Sequence, residues 1–162
     1  MHAPTPHFIH SLKALSTILA KAEAHAEARK IKPDVLPQSR LIADMFPLWR
    51  QVAIVTDHAK GACARLAGLE VPSYPDTETT LGELQDRITK TIAFLQTIPA
   101  SAFDGAEART ITVKAGPREL TFPAMQYLHG YAVPNFYFHM STAYNILRAN
   151  GVEVGKVDFL GG

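Results

Sequence analysis

Residues 47–68 read PLWRQVAIVTDHAKGACARLAG, and this stretch indicates the fold class more clearly than any other. Its apolar residues recur at intervals of three and four, the period of an α-helix with one buried face. That face is predicted to consist of Leu48, Val52, Val55, Ala59, Ala62 and Leu66. Proline is tolerated in a first helical turn, and glycine commonly follows a last one. We therefore predict a helix that begins near Asp44 or Pro47, ends at Leu66 and stops before Gly68.

Two further segments, before and after this stretch, have the same period. The first runs from about Pro6 to Lys30 and ends in a series of strong helix formers. The other begins at Thr79 or Thr80 and ends by Pro99. Glu83 lies three residues after Thr80, which is the spacing of a capping box at a helix start. Because prolines interrupt the chain between these segments, we expect three separate helices up to this point.

The period changes to two between Arg109 and Phe122. Apolar and polar residues alternate there on either side of Gly116-Pro117, which is typical of a β-hairpin. A lone hairpin is marginally stable in water, so we expect it to lie against the helices. A fourth helix is predicted from about Pro123 to Asn150, and Pro134 should kink it or split it in two. The glycine-rich tail from Val152 to Gly162 is expected to be irregular.

Length and composition fit one domain over residues 1–162. Hydrophobic residues make up 47% of the chain and charged residues 19%, which is enough apolar material for a core. Four helices with mostly short connections predict an all-α, up-down four-helix bundle. The short β-hairpin is an insertion between the third and fourth helices of this bundle.

Charge and hydropathy argue against several classes of protein. Sixteen basic and fifteen acidic side chains leave a formal charge of +1, so a primary role in nucleic-acid binding is not expected. The sequence has no run of about 18 apolar residues that would span a membrane, and its start does not resemble a signal peptide. Cys63 is the one cysteine and cannot form an internal disulfide, which fits a reducing compartment. We expect a soluble cytoplasmic domain with an inert thiol.

Candidate chemistry lies on the second and fourth helices. Asn135 and His139 are four residues apart, so they project from one helical face about one turn apart. Asp57 and His58 lie mid-way along the second helix, and His58 leans toward its apolar stripe. If the two helices face each other, His58 or Asp57 would meet His139 and Asn135 in the bundle interior. Metal sites in bundles are built in this way, and the cofactor would be a divalent ion such as Zn, Ni or Fe.

Other interpretations of these residues remain open. Asparagine is a weak, neutral ligand, and Asn135 could instead bond a carbonyl that is freed by Pro134. A buried histidine is also commonly bonded to a carbonyl or a carboxylate. Tyr131, Tyr137 and Tyr144 belong to an aromatic cluster that would line a pocket for a small-molecule ligand or pack in the core.

The chain resembles an uncharacterised family, the domain of unknown function numbered nineteen-ninety-three. The resemblance extends over nearly the whole chain and is strongest at its C-terminal end. There it rests on Pro134-Asn135-Phe136-Tyr137-Phe138-His139, Thr142-Ala143-Tyr144, Ile146-Leu147-Arg148, Gly151-Val152, Gly155-Lys156 and Asp158-Phe159-Leu160-Gly161. In the N-terminal half it rests on His25-Ala26-Glu27-Ala28, Asp44-Met45-Phe46-Pro47, Asp57, Ala59-Lys60-Gly61 and Ala64-Arg65-Leu66-Ala67-Gly68.

That family is similar to the DinB/YfiT-like superfamily of four-helix bundles, which are regarded as metal-dependent enzymes. The resemblance implies three histidine ligands, one on the second helix and two in a His-x-x-x-His pattern on the fourth. His139 matches the second histidine of that pattern, and Asn135 stands where the first would be. His58 matches the ligand of the second helix, and Asp57 is the position that the family pattern fixes. Hydrolase and thiol-transferase activities are the ones that the resemblance implies.

Three functional hypotheses follow. In the first, a bound ion lowers the pKa of a water or a thiol in a degenerate metal-dependent enzyme. In the second, the same polar residues and the tyrosines form a metal-free binding module for a small molecule. In the third, the protein is a structural homodimer in which ion pairing among Asp158, Lys156 and Arg148 joins the tail to the bundle. We expect a homodimer in any of the three cases.

Overall fold

The computed structural model describes residues 1–162, and most of the chain is helical. Every predicted helix and the predicted hairpin are present, with ends that differ from the prediction by a few residues. In chain order the elements are α1 (Thr5–Ala28), α2 (Val35–Gln38), α3 (Leu48–Ala67), α4 (Leu81–Gln96), two 3-10 turns (Ala100–Phe103 and Ala106–Ala108), β1 (Thr110–Ala115), β2 (Arg118–Pro123), α5 (Ala124–Gln126), a π-helical turn (Tyr127–Ala132), α6 (Val133–Ala149) and α7 (Lys156–Leu160).

Local sequence explains the ends of the long helices. At the start of α4, the Glu83 backbone N–H donates to Thr80 Oγ1 at 3.2 Å, and Glu83 Oε2 accepts from the Thr80 backbone at 2.9 Å. This capping box satisfies two backbone donors that have no partner within the helix. At the end of α3, Gly68 has φ 72°, a left-handed conformation that glycine adopts without steric strain.

The hairpin packs on the helices, as expected. Its two strands are antiparallel, with Ile111 opposite Phe122 and Val113 opposite Leu120. Ile111 and Val113 are buried and belong to the main hydrophobic core, which lies between the long helices. Their polar neighbours on β1, Thr110, Thr112 and Lys114, are exposed, so the alternation seen in the sequence matches the two faces of the strand.

The helix directions differ from the predicted up-down alternation. Arg50, near the start of α3, forms an ion pair with Asp76 in the segment that leads into α4, and Asp57 meets Arg87 further along both helices. These contacts show that α3 and α4 run parallel. The connection over residues 68–80 therefore returns along the bundle. Its extended reach of roughly 40 Å exceeds the ~30 Å length of a 20-residue helix, so the return is possible.

The tail is more ordered than predicted. Residues Lys156–Leu160 form the short helix α7 against α1, where Asp158 pairs with Lys21 at 2.6 Å and His10 Nε2 donates to the Leu160 carbonyl at 2.8 Å. The expected pairing of Asp158 with Arg148 or Lys156 is replaced by this contact with α1. Gly161 follows with φ 80°, and a Cβ there would lie 2.9 Å from the His10 ring. The close approach of the two segments, together with the left-handed backbone, thus favours a glycine at this position.

Pro134 neither breaks nor splits the last long helix. The chain remains helical through α5, the π-helical turn and α6, which together are called the C-terminal helix below. The helical ladder is instead adjusted one turn earlier, over Tyr127–Ala132, which leaves Pro134 in the first turn of α6. A proline is tolerated at such a position because the hydrogen-bond ladder is adjusted before it, so that the bond that its missing N–H would have made is not needed.

Candidate functional site

The structure brings His58 and His139 together. His58 lies mid-way along α3 and His139 on α6, and the centres of their rings are 6.2 Å apart with an angle of 14° between the ring planes. The two helices are antiparallel neighbours, because Gln51 contacts His139 at one end and Arg65 contacts Tyr127 at the other. The second and fourth long helices thus face each other, which is the condition on which the proposed meeting of their polar residues depended.

A chain of hydrogen bonds fixes the tautomer of His139. Gln51 Nε2 donates to the Phe46 carbonyl at 2.9 Å, so its Oε1 faces His139 Nδ1 at 2.7 Å. Since that oxygen can only accept, Nδ1 must carry the proton. The lone pair of His139 is consequently on Nε2, which has no hydrogen-bond partner within the protein and remains accessible to solvent. This nitrogen is ready to act as a ligand or a base.

Both imidazoles are neutral at pH 7. Burial lowers the pKa of His58 to about 4, and the nearby His139 and Arg65 contribute to the shift, while Asp57 opposes it. Burial also lowers the pKa of His139, and the positive charge of Arg50 acts in the same direction. A histidine must be deprotonated to bind a metal, so this environment favours the binding-competent form of both residues.

The other two predicted ligands are placed differently. Asn135 Nδ2 donates to the Tyr131 carbonyl at 2.7 Å, which is the backbone repair considered above, and its oxygen makes no bond within the protein. Asp57 turns toward α4, where its Oδ1 is 2.9 Å from Lys60 Nζ and 2.9 Å from an Arg87 nitrogen. Because this carboxylate is held by two cations, it is not directed at the histidine pair.

The donors that the structure brings together are thus two imidazoles; the Asn135 amide lies one helical turn from His139 and its oxygen makes no bond within the protein. No group of three or more His, Cys, Asp or Glu side chains in the chain is arranged to hold an ion. Two imidazoles on one tetrahedral ion have ring centres about 5 Å apart, so these rings, 6.2 Å apart, would have to approach by about 1 Å and direct a free nitrogen of each toward one point to share a metal. The donors therefore fit an ion with two strong protein ligands and open positions, and do not fit a closed structural site.

Of the predicted pocket tyrosines, only Tyr131 lies at the histidine pair. Its ring meets His58 edge-on, with centres 5.8 Å apart. Tyr137 instead faces α1, where its hydroxyl is 2.9 Å from Ser11 Oγ and 3.0 Å from His7 Nε2. Tyr144 donates to the Val154 carbonyl at 3.3 Å and holds the tail. The latter two tyrosines serve packing between helices and the tail.

The structure also shows that the predicted residues belong to a longer polar series, of which the sequence prediction missed Gln51, Arg65 and Tyr127. Its residues on α3 follow one face at intervals of seven and face those on the C-terminal helix at intervals of four. We call this set the polar seam; it consists of Gln51, His58, Arg65, Tyr127, Tyr131, Asn135 and His139. Seven residues are two helical turns, so the sequence spacing alone could have placed Gln51 and Arg65 beside His58.

A bundle that carries a histidine on its second long helix and another on its last, with a small hairpin before the last helix, is DinB-like in its architecture. A sequence model of the family described as "Domain of unknown function (DUF1993)" matches residues 2–160, and the chain belongs to this family. It is also similar to a DinB family member protein from Shewanella denitrificans, solved by crystallography at 1.83 Å resolution. The two are 44% identical with a TM-score of 0.90, over 98% of this chain and 89% of that one. No curated protein matches the sequence.

The homodimer and the cytoplasmic location stay predictions. None of the helices combines the length and the hydropathy that crossing a membrane requires.

Proposed function

We propose that the protein is a DinB-type metal-dependent enzyme of hydrolase or thiol-transferase type, in which His58 and His139 hold a divalent ion. The observation that carries this proposal is the meeting of the two neutral imidazoles, with His139 Nδ1 held by Gln51 and its Nε2 free. Imidazole nitrogen suits Zn, Ni and Fe, the ions expected from the sequence.

Each residue of the site has a separate role in this proposal. Gln51 orients the His139 ring and keeps the proton on Nδ1, as partners of metal-bound histidines do elsewhere. Burial keeps both imidazoles deprotonated, so no proton has to be displaced at pH 7 when they bind an ion. The oxygen of Asn135 lies one helical turn from His139 and can supply a weak third donor.

A bound ion would lower the pKa of a water or a thiol and so generate a nucleophile near neutral pH. With only two strong protein ligands, the site leaves positions for that nucleophile and for substrate. The same feature predicts a weaker affinity than a three-histidine site would have, because each ligand contributes to the free energy of binding.

Elemental analysis of the untagged protein tests the proposal, after incubation with excess Zn or Ni and removal of free ion. The native protein should retain one ion per chain, and His58→Ala and His139→Ala should each lose it. His129→Ala is the matched control, because His129 is exposed on the π-helical turn and makes no contact with the pair. The proposal is wrong if the native protein retains no ion, or if both variants retain it as the native protein does.

The two alternative hypotheses predict different results. A metal-free binding module would retain no ion and would still bind small molecules at the polar seam. A purely structural homodimer would do neither, and its His139→Ala variant would change stability or association alone.

A further inference from the structure

Arg65 is a cation without an anionic partner. Its side chain is partly buried between α3 and the C-terminal helix, and Nη1 is 3.2 Å from the Tyr127 hydroxyl. None of the ion pairs of the chain includes it. A guanidinium has five N–H donors, so most of its donors face no acceptor of the protein. Partly buried cations are normally paired, and this one is free to bind an external anion.

The position of the guanidinium depends on a glycine. Gly61 lies between His58 and Arg65 on the same face of α3, three residues after the first and four before the second. A Cβ at position 61 would lie 2.5 Å from Arg65 Nη1, closer than non-bonded atoms approach. Side chains on a helix lean toward its N-terminus, so the guanidinium lies over Gly61 and extends toward His58.

Aromatic rings of the C-terminal helix and the hairpin lie across from the Arg65 guanidinium. Tyr127 and Tyr131 stack with their centres 6.0 Å apart, and Phe122 lies 5.4 Å from the Tyr131 ring. Tyr127 is buried, and its hydroxyl meets the guanidinium, while the half-buried rings of Tyr131 and Phe122 keep apolar surface exposed beside it. The polar seam contains no carboxylate, and Asp57 is held on the other side of α3 by Arg87. The charge of Asp57 acts on His58, but Lys60 and Arg87 neutralise it, so the net local charge is positive and favours a negatively charged ligand.

We propose that Arg65 binds the carboxylate of a small-molecule ligand, whose adjoining apolar part lies against Tyr131 and faces the histidine pair. Arginine suits this role because its planar fork binds a carboxylate through two parallel N–H bonds. The inference deepens the proposed function, on which it rests, by naming small carboxylic acids as the substrate class. The binding step itself requires no metal, so it can be measured separately.

Benzoate, with benzamide as the uncharged analogue, is a suitable probe for the metal-free protein. Backbone amide NMR should show saturable shifts around Gly61, Arg65 and Tyr127 with benzoate, at an affinity at least about tenfold tighter than for benzamide. Arg65→Gln should reduce the affinity for benzoate by about tenfold or more. The same change at an exposed arginine of α6, Arg148→Gln, should leave the affinity unchanged.

Gly61→Ala tests whether binding depends on where the guanidinium lies, because this variant keeps Arg65 but moves the end of its side chain. The added methyl must displace the flexible end of Arg65, and alanine is the better helix former, so the variant should fold and still lose about tenfold in benzoate affinity. Equal binding of benzoate and benzamide would overturn the proposal, as would benzoate binding that neither variant weakens. The benzoate titration contains no ion, so its result does not depend on metal binding. If the protein retains no metal but binds benzoate through Arg65, this inference is supported and the metal-dependent function is wrong. Metal retention without benzoate binding would support the metal-dependent function and overturn the carboxylate proposal.

Discussion

Replacing Arg87 with methionine should test what holds the parallel pair α3 and α4 together. Only 2% of the Arg87 side chain is exposed. It donates to Thr56 Oγ1 at 2.8 Å and to the Pro75 carbonyl at 3.0 Å. It also donates to Asp57 and Glu78, each at 2.9 Å. One arginine thus joins both helices to the connection over residues 68–80.

The expected loss follows from what the substitution leaves behind. Methionine keeps the apolar stem but removes every donor. Glu78 would remain with 11% of its side chain exposed, and its second oxygen already has no partner. Removing one partner of a buried ion pair costs about 3–5 kcal/mol. Because Asp57 is 38% exposed, water stabilises it and we expect the low end, about 3 kcal/mol. For a chain of this length, the Tm should fall by roughly 6–12 °C.

Urea unfolding followed by circular dichroism measures this change. The midpoint should fall while the slope m stays constant, since the substitution leaves the folded core unchanged. Arg148→Met makes the same change at an exposed helical position and should stay within about 0.5 kcal/mol of the native protein. A loss below about 1 kcal/mol for Arg87→Met would refute the reasoning, because it would mean that water or neighbouring groups replace the arginine at little cost.

Three further predictions concern the site and the core. Burial and neighbouring charge lower the pKa of His58 from 6.5 to about 4, so the unfolded chain binds more protons between these values. The metal-free protein should therefore lose up to roughly 3 kcal/mol of stability as the pH falls from 7 to 4 in urea titrations, and His58→Asn should show a smaller loss. Asn135→His adds a third imidazole one turn from His139 and should raise zinc affinity by about tenfold or more in calorimetry; unchanged affinity would place the ion elsewhere. Burial raises the pKa of the Cys63 thiol, so a disulfide reagent should modify it only as fast as the protein unfolds, and rapid labelling of the native protein would contradict this.

The helices and the hairpin are predictable because their signals are local. The apolar period of α3, the capping box at Thr80 and the glycine stop at Gly68 each lie within a few residues of the structure that they specify. Helix direction is different, because it depends on how the connection over residues 68–80 packs. Its length allowed either a loose loop or a return along the bundle, and the contacts made by Arg87 decide between them.

The tail shows the same limit. The glycines of residues 152–162 predict an irregular segment, yet α7 forms because Asp158 reaches Lys21 and Leu160 reaches His10. These partners lie more than a hundred residues away in the sequence. Short helices owe their stability to such tertiary contacts rather than to their own helix propensity, so the local sequence alone does not predict them.

The candidate site was predictable in part. The sequence places His58 toward the apolar stripe of its helix and allows it or Asp57 to meet His139 if the two helices face each other; in the structure the His58 and His139 rings lie 6.2 Å apart. Asp57 is the neighbour of His58 in sequence, but it projects from a different side of α3 and forms an ion pair with Arg87. Gln51 lies two helical turns before His58, and its role depends on the Phe46 carbonyl that orients its amide. A sequence pattern shows which face a residue occupies, not which partner it finds there.

Anomalous X-ray diffraction from crystals soaked in zinc or nickel would test the central claim most directly, because it locates the ion. We predict one peak per chain, within about 2.0–2.2 Å of Nε2 of His139 and of a ring nitrogen of His58. A peak that contacts neither histidine, or no peak at a concentration that saturates a three-histidine protein, would contradict the account.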